Sequence, residues 1–180
     1  MATKDRRIIN EVFVLLGSVV IVVLLVVGGL AWYAHNFAVG NVRTELSAQQ
    51  VYFPPKGSPA LDPTEFPDLQ KYAGQQVDNG PKARAYANGF IARHLKKVAD
   101  GKTYSQVSAE AMADPTNAKL QMQKQILFQG ETLRGLLLGD GYAYWVFGQI
   151  AGYAAIAAFA AAGLLLIFVL RGMLHLKRLK

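Results

Sequence analysis

At 180 residues the chain is long enough for one ordinary domain, but 52% of it is hydrophobic and its formal charge is +7. It contains no cysteine, which excludes disulfides, thiolate catalysis, cysteine-ligated zinc, iron–sulfur clusters and a bacterial lipoprotein anchor. The charge does not point to nucleic acid, because Lys4, Arg6, Arg7, Arg171, Lys177, Arg178 and Lys180 flank two long apolar runs and leave a nearly balanced interior.

A basic tail (1–11) leads into Val12–Ala34, an uncharged run rich in Val and Leu. At about 1.5 Å per residue it can cross a hydrocarbon core of about 30 Å. It exceeds the 7–15 residues or so of a signal-peptide core, and no clean Ala-x-Ala site follows, so a retained transmembrane helix over 12–34 is expected. Residues 35–141 turn polar, and Asn36–Val51 can extend the first helix. Five of the seven prolines then fall between Pro54 and Pro67. The stretch 52–67 reads as an extended, polyproline-like spacer, with Tyr52, Phe53 and Phe66 placed to dock on a neighbouring surface.

Asn79-Gly80-Pro81 opens a basic amphipathic helix over 81–99, closed by Asp100-Gly101. Ala83, Ala87, Phe90, Ile91, His94, Leu95 and Val98 share one face, and Lys82, Arg93, Lys96 and Lys97 gather on another. Those four cations are candidate contacts for anionic lipid headgroups or an acidic partner; a solvated face is the plainer alternative. Thr103 and Gln106 have capping-box spacing for a short helix over 104–112. Asp114 as N-cap and Pro115 at the first position start a helix over 115–138, with Met122, Ile126, Leu133 and Leu137 on one stripe. Gly139-Asp140-Gly141 either kinks this helix, breaks it or lets it run on.

The second span covers 142–170. Gly148, Gly152, Ala155, Ala158 and Ala162 form a small-residue ridge that lets another helix backbone approach, and Leu164–Leu170 reads as a lipid-facing anchor. The partner is either the first helix, which offers Gly17, Ser18, Gly28 and Gly29, or another protein. Trp32 and Tyr33 end the first span while Tyr142, Tyr144 and Trp145 begin the second, so these interfacial aromatics fall on one side of a two-pass hairpin. Together with the basic tails (the second over 171–180) they predict cytoplasmic termini and an extracytoplasmic segment 35–141. The expected fold is an all-α membrane protein, its two transmembrane helices joined by a mostly helical extracytoplasmic loop with a Pro-rich extended segment.

Signals for chemistry are sparse. The topology separates His35 from His175 by the bilayer, and His94 stands on the apolar edge of its helix without a second His four residues on. There is no nucleophile elbow, phosphate loop or dinucleotide fingerprint. Neither span holds an ionisable residue, and Gln149 reads as helix–helix glue. No catalytic, cofactor or metal residue is assigned and no enzyme is expected. The expected partners are the lipid bilayer and other integral membrane proteins, with homo-oligomerisation open and nucleic acid excluded.

Gly80-Pro81, Tyr86-Ala87, Ile91, His94 and Gly101-Lys102-Thr103-Tyr104, followed by Thr132-Leu133-Arg134, form a pattern that resembles a family of small two-pass membrane proteins of actinobacteria. The similarity runs from about Asn79 to Leu170, and the Pro-rich segment has no counterpart in it. Some members carry an automatic label of aromatic ring-opening dioxygenase; this sequence offers no plausible iron triad for that activity. The resemblance implies an actinobacterial plasma membrane, and in architecture the chain is similar to small accessory subunits of respiratory supercomplexes. The functional expectation is a non-catalytic accessory or scaffolding subunit of a plasma-membrane complex. The alternatives are a free-standing envelope protein with a ligand-sensing loop and, behind it, a membrane-bound metal-dependent enzyme.

Overall fold

The computed structural model describes residues 3–178, so Lys180 of the predicted C-terminal tail lies outside the described residues. The architecture is all-α, with two long apolar helices able to span a membrane joined by a mostly helical, proline-containing segment. Helix α1 (Thr3–Ala48) continues past the predicted span without interruption, because no proline occurs before Pro54. It ends at Gln50, which adopts a left-handed conformation with φ 52°. The chain divides into two compact units, one made of residues 1–37 with 148–180 and the other of 38–147.

The first unit is an antiparallel pair formed by the N-terminal part of α1 and by α6 (Tyr144–Arg178). In the N-terminal part of α1 the positions turned from solvent include Val14, Gly17, Ile21, Leu24 and Gly28, spaced alternately by three and four residues. On α6 they include Gly148, Gly152, Ala155, Ala158, Ala162, Leu165 and Val169. A 3.5-residue period keeps one stripe facing a partner along its whole length, as in left-handed helix pairs. Large side chains of one helix sit on glycines of the other: Phe159 on Gly28, Val169 on Gly17 and Val14 on Gly172. Leu164, Leu166, Ile167, Phe168 and Leu170 are exposed, as a lipid-facing anchor requires, but Leu165 and Val169 belong to the seam. The predicted anchor therefore also packs.

The second unit has its own core, centred on Phe53, Leu61, Leu69, Val77, Val107 and Leu127, all at most 2% exposed. Here the spacer expectation for 52–67 fails. After Pro55 the chain folds into two short 3-10 turns, Pro59–Leu61 and Pro67–Tyr72. Phe53 stacks on Tyr72 at 5.2 Å and meets Tyr86 edge-on at 5.1 Å, while Phe66 packs against Phe90. Proline removes ladder and helix hydrogen bonds but does not prevent burial, and the flanking aromatics supply apolar area. Tyr52 alone of the three docking aromatics stays exposed, and its backbone forms an isolated antiparallel bridge with Gln76.

Asn79 caps α2 (Gly80–Arg84), which runs through a π-helical segment (Ala85–Ile91) into α3 (Ala92–Val98). Its core face comprises Ala83, Ala87, Gly89, Ile91 and Leu95, whereas the predicted core-edge His94 is exposed. The wide turn of a π segment adds a residue and moves the face, which admits Gly89 and releases His94. The amide of Gly101 donates to Lys96 O at 2.8 Å and closes α3 in a Schellman-type turn. Thr103 and Gln106 make a reciprocal capping box on α4 (Tyr104–Ala113). Helix α5 (Ala118–Leu136) starts later than expected, since Asn117 rather than Asp114 accepts the capping bond, from the Leu120 amide. Asp114 instead closes a turn with Thr116 and Asn117.

The predicted apolar stripe of α5 holds in part. Leu137 is buried and Ile126 packs on the core, but Met122 and Leu133 are exposed and Gln123 and Leu127 face inward. Buried Gln123 donates Nε2 to Val98 O at 2.7 Å and so satisfies a carbonyl at the end of α3. Gly139-Asp140-Gly141 does not break the helix. A second π segment (Leu137–Ala143) carries α5 directly into α6, with the Tyr144 amide bonded to Gly139 O.

Candidate functional site

The small-residue ridge is occupied within the chain. Gly148, Gly152, Ala155, Ala158 and Ala162 are all buried in the first unit, so the expected ridge faces the first helix. Its polar joint is His35, whose Nδ1 lies 2.8 Å from Gly148 O. A carbonyl only accepts, so Nδ1 carries the proton and donates. A Cβ on Gly152 would come within 2.7 Å of this nitrogen, so the Gly-x-x-x-Gly spacing gives an imidazole access to the helix backbone. The sequence marked both glycines but not the histidine as their partner. Trp32 stacks obliquely on the same ring at 5.5 Å.

The interfacial aromatics divide. Trp32 and Tyr33 are exposed, as a headgroup-level belt requires. Tyr142, Tyr144 and Trp145 are half-buried and work inside the second unit. Trp145 covers Gly80, where any Cβ would collide with the indole. The Tyr142 hydroxyl accepts a hydrogen bond from Arg84 at 2.9 Å, and the guanidinium carbon sits 4.9 Å from the ring centroid.

Three of the four candidate lipid-binding cations are paired internally. Lys82 lies 3.0 Å from Asp78. Arg93 grips Asp68 through two bonds of 2.7 and 3.0 Å and also donates to Glu65 O. Lys97 bonds Glu65. The Arg93 guanidinium holds the Asp68 carboxyl below the usual carboxylate range, and the same bond raises Arg93. Only Lys96 of the four lacks an acid partner among the described residues. The acids that neutralise Arg93 and Lys97 come from the Pro-rich segment and the turn after it, so the two predicted features are halves of one packed surface. Tyr86, packed beneath them, has its phenol pushed upward by burial.

A groove of about 450 Å³ in the second unit was not legible as a site. One wall is α1, through Asn41, Val42, Glu45, Leu46 and Gln49. The other is the end of α5 with the π segment and the first residue of α6, through Leu133, Leu136, Leu137, Asp140, Gly141 and Tyr144. Val42, Leu46 and Leu137 are buried at its base, while Leu136 is 56% exposed. Gly141 lets the walls close at the bottom, since a Cβ there would lie 3.0 Å from Ala83 and 3.7 Å from Leu46. Glu45 and Asp140 are exposed, one on each wall, and neither makes an ion pair among the described residues. Two cations near the α5 end of the groove are engaged elsewhere, while Arg43 on α1 does not line it. Arg134 binds Glu131, Ala87 O and Asn88, pinning the first π segment, and Arg84 lies on Tyr142. The available signal was an acid beside a core residue on each helix, Glu45 next to Leu46 and Asp140 next to Gly141.

No three His, Asp or Glu side chains gather within metal-binding reach among the described residues. Comparison with protein-family models, curated proteins and solved structures finds no match to this chain.

Proposed function

We propose that the chain is a non-catalytic accessory subunit of a plasma-membrane protein complex, with both termini cytoplasmic and residues 35–141 outside. The groove between α1 and the α5–α6 junction carries this reading. It has the anatomy of an interface, with an apolar floor, exposed leucine on its wall and a polar rim of Asn41, Glu45, Gln49 and Asp140. The hairpin supports the same reading as an anchor. Its ridge is filled by its own first helix, which leaves the second unit to contact other proteins. Respiratory supercomplexes, suggested by the sequence resemblance, are the class of complex to test first.

The test is isolation of the tagged chain from its native membrane in a mild detergent, with the stoichiometry of co-isolated proteins quantified. A fixed-stoichiometry integral membrane partner is expected. Recovery of the chain alone across several mild detergents would overturn the reading.

A further inference from the structure

Resting on the subunit reading, we infer that the groove receives a cationic amphipathic helix of the partner protein, its apolar face on Val42, Leu46, Leu136 and Leu137 and its Lys or Arg side chains on Glu45 and Asp140. The walls are long enough to flank a helix. Asn41–Gln49 spans about 12 Å of α1 and Leu133–Tyr144 about 16 Å of the facing wall, which is two to three turns. Helix-in-groove recognition takes anchors at three- and four-residue spacing from one face of the guest, and two helical walls present that periodicity.

Charge chooses among the possible guests. The two exposed carboxylates stand on opposite walls and make no ion pair among the described residues, so an occupant that buries apolar area and offers positive charge to both sides is favoured. An anionic lipid is repelled at this rim, and a neutral acyl chain gains nothing from it. A second copy of this chain is the competing guest, since Lys119 and Lys124 of its α5 make no ion pair among the described residues, and the coupling experiment below distinguishes it. A lysine or arginine stem lying along Leu136 with its head on Asp140 would use both properties of the wall.

The probe is a fluorescent helical peptide with a leucine face flanked by lysines, titrated against the full chain in zwitterionic nanodiscs, with empty nanodiscs as the baseline. A peptide with glutamate in place of lysine is the charge control. Saturable one-to-one binding of the lysine peptide is expected, with affinity falling at least tenfold in the double variant Glu45→Gln/Asp140→Asn and no binding of the glutamate peptide. Both substitutions are on exposed side chains, and circular dichroism of the variant verifies its fold. Carbodiimide coupling should join Glu45 or Asp140 to a peptide lysine in the bound state. Equal binding of both peptides, unchanged affinity in the double variant, or coupling of Asp140 only to a second copy would each overturn the inference. The two levels separate cleanly. A co-isolated partner retained equally by the double variant sinks the groove assignment and leaves the subunit reading standing. Groove-dependent peptide binding by a chain that always isolates alone does the reverse.

Discussion

His35 and Gly152 form a single joint, because the imidazole reaches Gly148 O only where Gly152 has no side chain. Gly152→Leu should therefore lower the stability of the detergent-solubilised chain by about 1–3 kcal/mol, the usual cost of overpacking. Gly29 and Gly163 lie on the same helices with open space around their Cβ positions, so Gly29→Leu and Gly163→Leu are the matched controls. They should stay within about 0.5 kcal/mol of the parent. His35→Phe keeps a ring but loses the donor, and its expected cost of about 0.6 kcal/mol is the average for an interhelical bond in a membrane protein. Thermal unfolding of the four variants in one detergent measures all of this; equal losses at Gly152 and Gly163 would remove the joint. Asp68 supplies a pH test at the same scale. Its folded carboxyl titrates below the ordinary 3.8, so its pairing with Arg93 stabilises the fold above that pH and is lost as the pH falls through the lower folded value. Both side chains are substantially exposed, which keeps the effect to about 0.2–1 kcal/mol. Asp68→Asn should weaken the protein by that amount at pH 6 and by nothing once the acid limb is passed. A pH-independent loss would mean that the pair does not account for it.

Single elements show where sequence patterns suffice and where they mislead. The amides at helix ends were legible because capping needs particular residues at fixed spacing, as with Thr103 and Gln106 or with Gly101 after α3. The start of α5 was not, because Asp114 and Asn117 are both competent caps three residues apart and only the tertiary turn selects between them. The inward face of α5 was only partly legible: Ile126 and Leu137 pack as expected, but a buried glutamine took another inward position, and no periodicity in hydrophobicity reports a side chain that is buried to cap another helix. The π segments left no recognisable trace, since a one-residue widening of the helix depends on packing rather than propensity. The Pro-rich segment is the sharpest case. Its prolines excluded α-helix and extended strand, though not short 3-10 turns, and burial was written in Phe53, Leu61 and Phe66. Leu61 is fully buried, so Leu61→Ala should cost about 2–5 kcal/mol, the range for a leucine truncated in a core. Near-ultraviolet circular dichroism of the full chain during heating would register it through the surrounding aromatics. A melting curve unchanged from the parent would restore the spacer reading.

At the scale of the whole molecule, the two apolar helices able to span a membrane are the most legible feature, because length and hydropathy act over tens of residues and survive local errors. The groove was invisible for the opposite reason: Glu45 and Asp140 are 95 positions apart in the sequence and meet only through the tertiary fold. The proposed orientation rests on the charge flanking the two spans and can be tested without altering any native thiol, since there is none. Arg6→Cys, Lys56→Cys and Lys177→Cys each place one thiol at an exposed position, before, between and after the spans. Three basic residues near each end lie among the described residues, so the ends are expected to remain inside, where positive charge is retained during insertion. In intact cells a membrane-impermeant maleimide should label position 56 alone, with positions 6 and 177 becoming reactive only after permeabilisation. Labelling of 6 and 177 with protection of 56 would invert the protein and place the groove on the cytoplasmic side. Unequal labelling of 6 and 177 would show that one of the apolar helices does not cross, and the hairpin would then have to be an arrangement that lies on or within one face of the membrane.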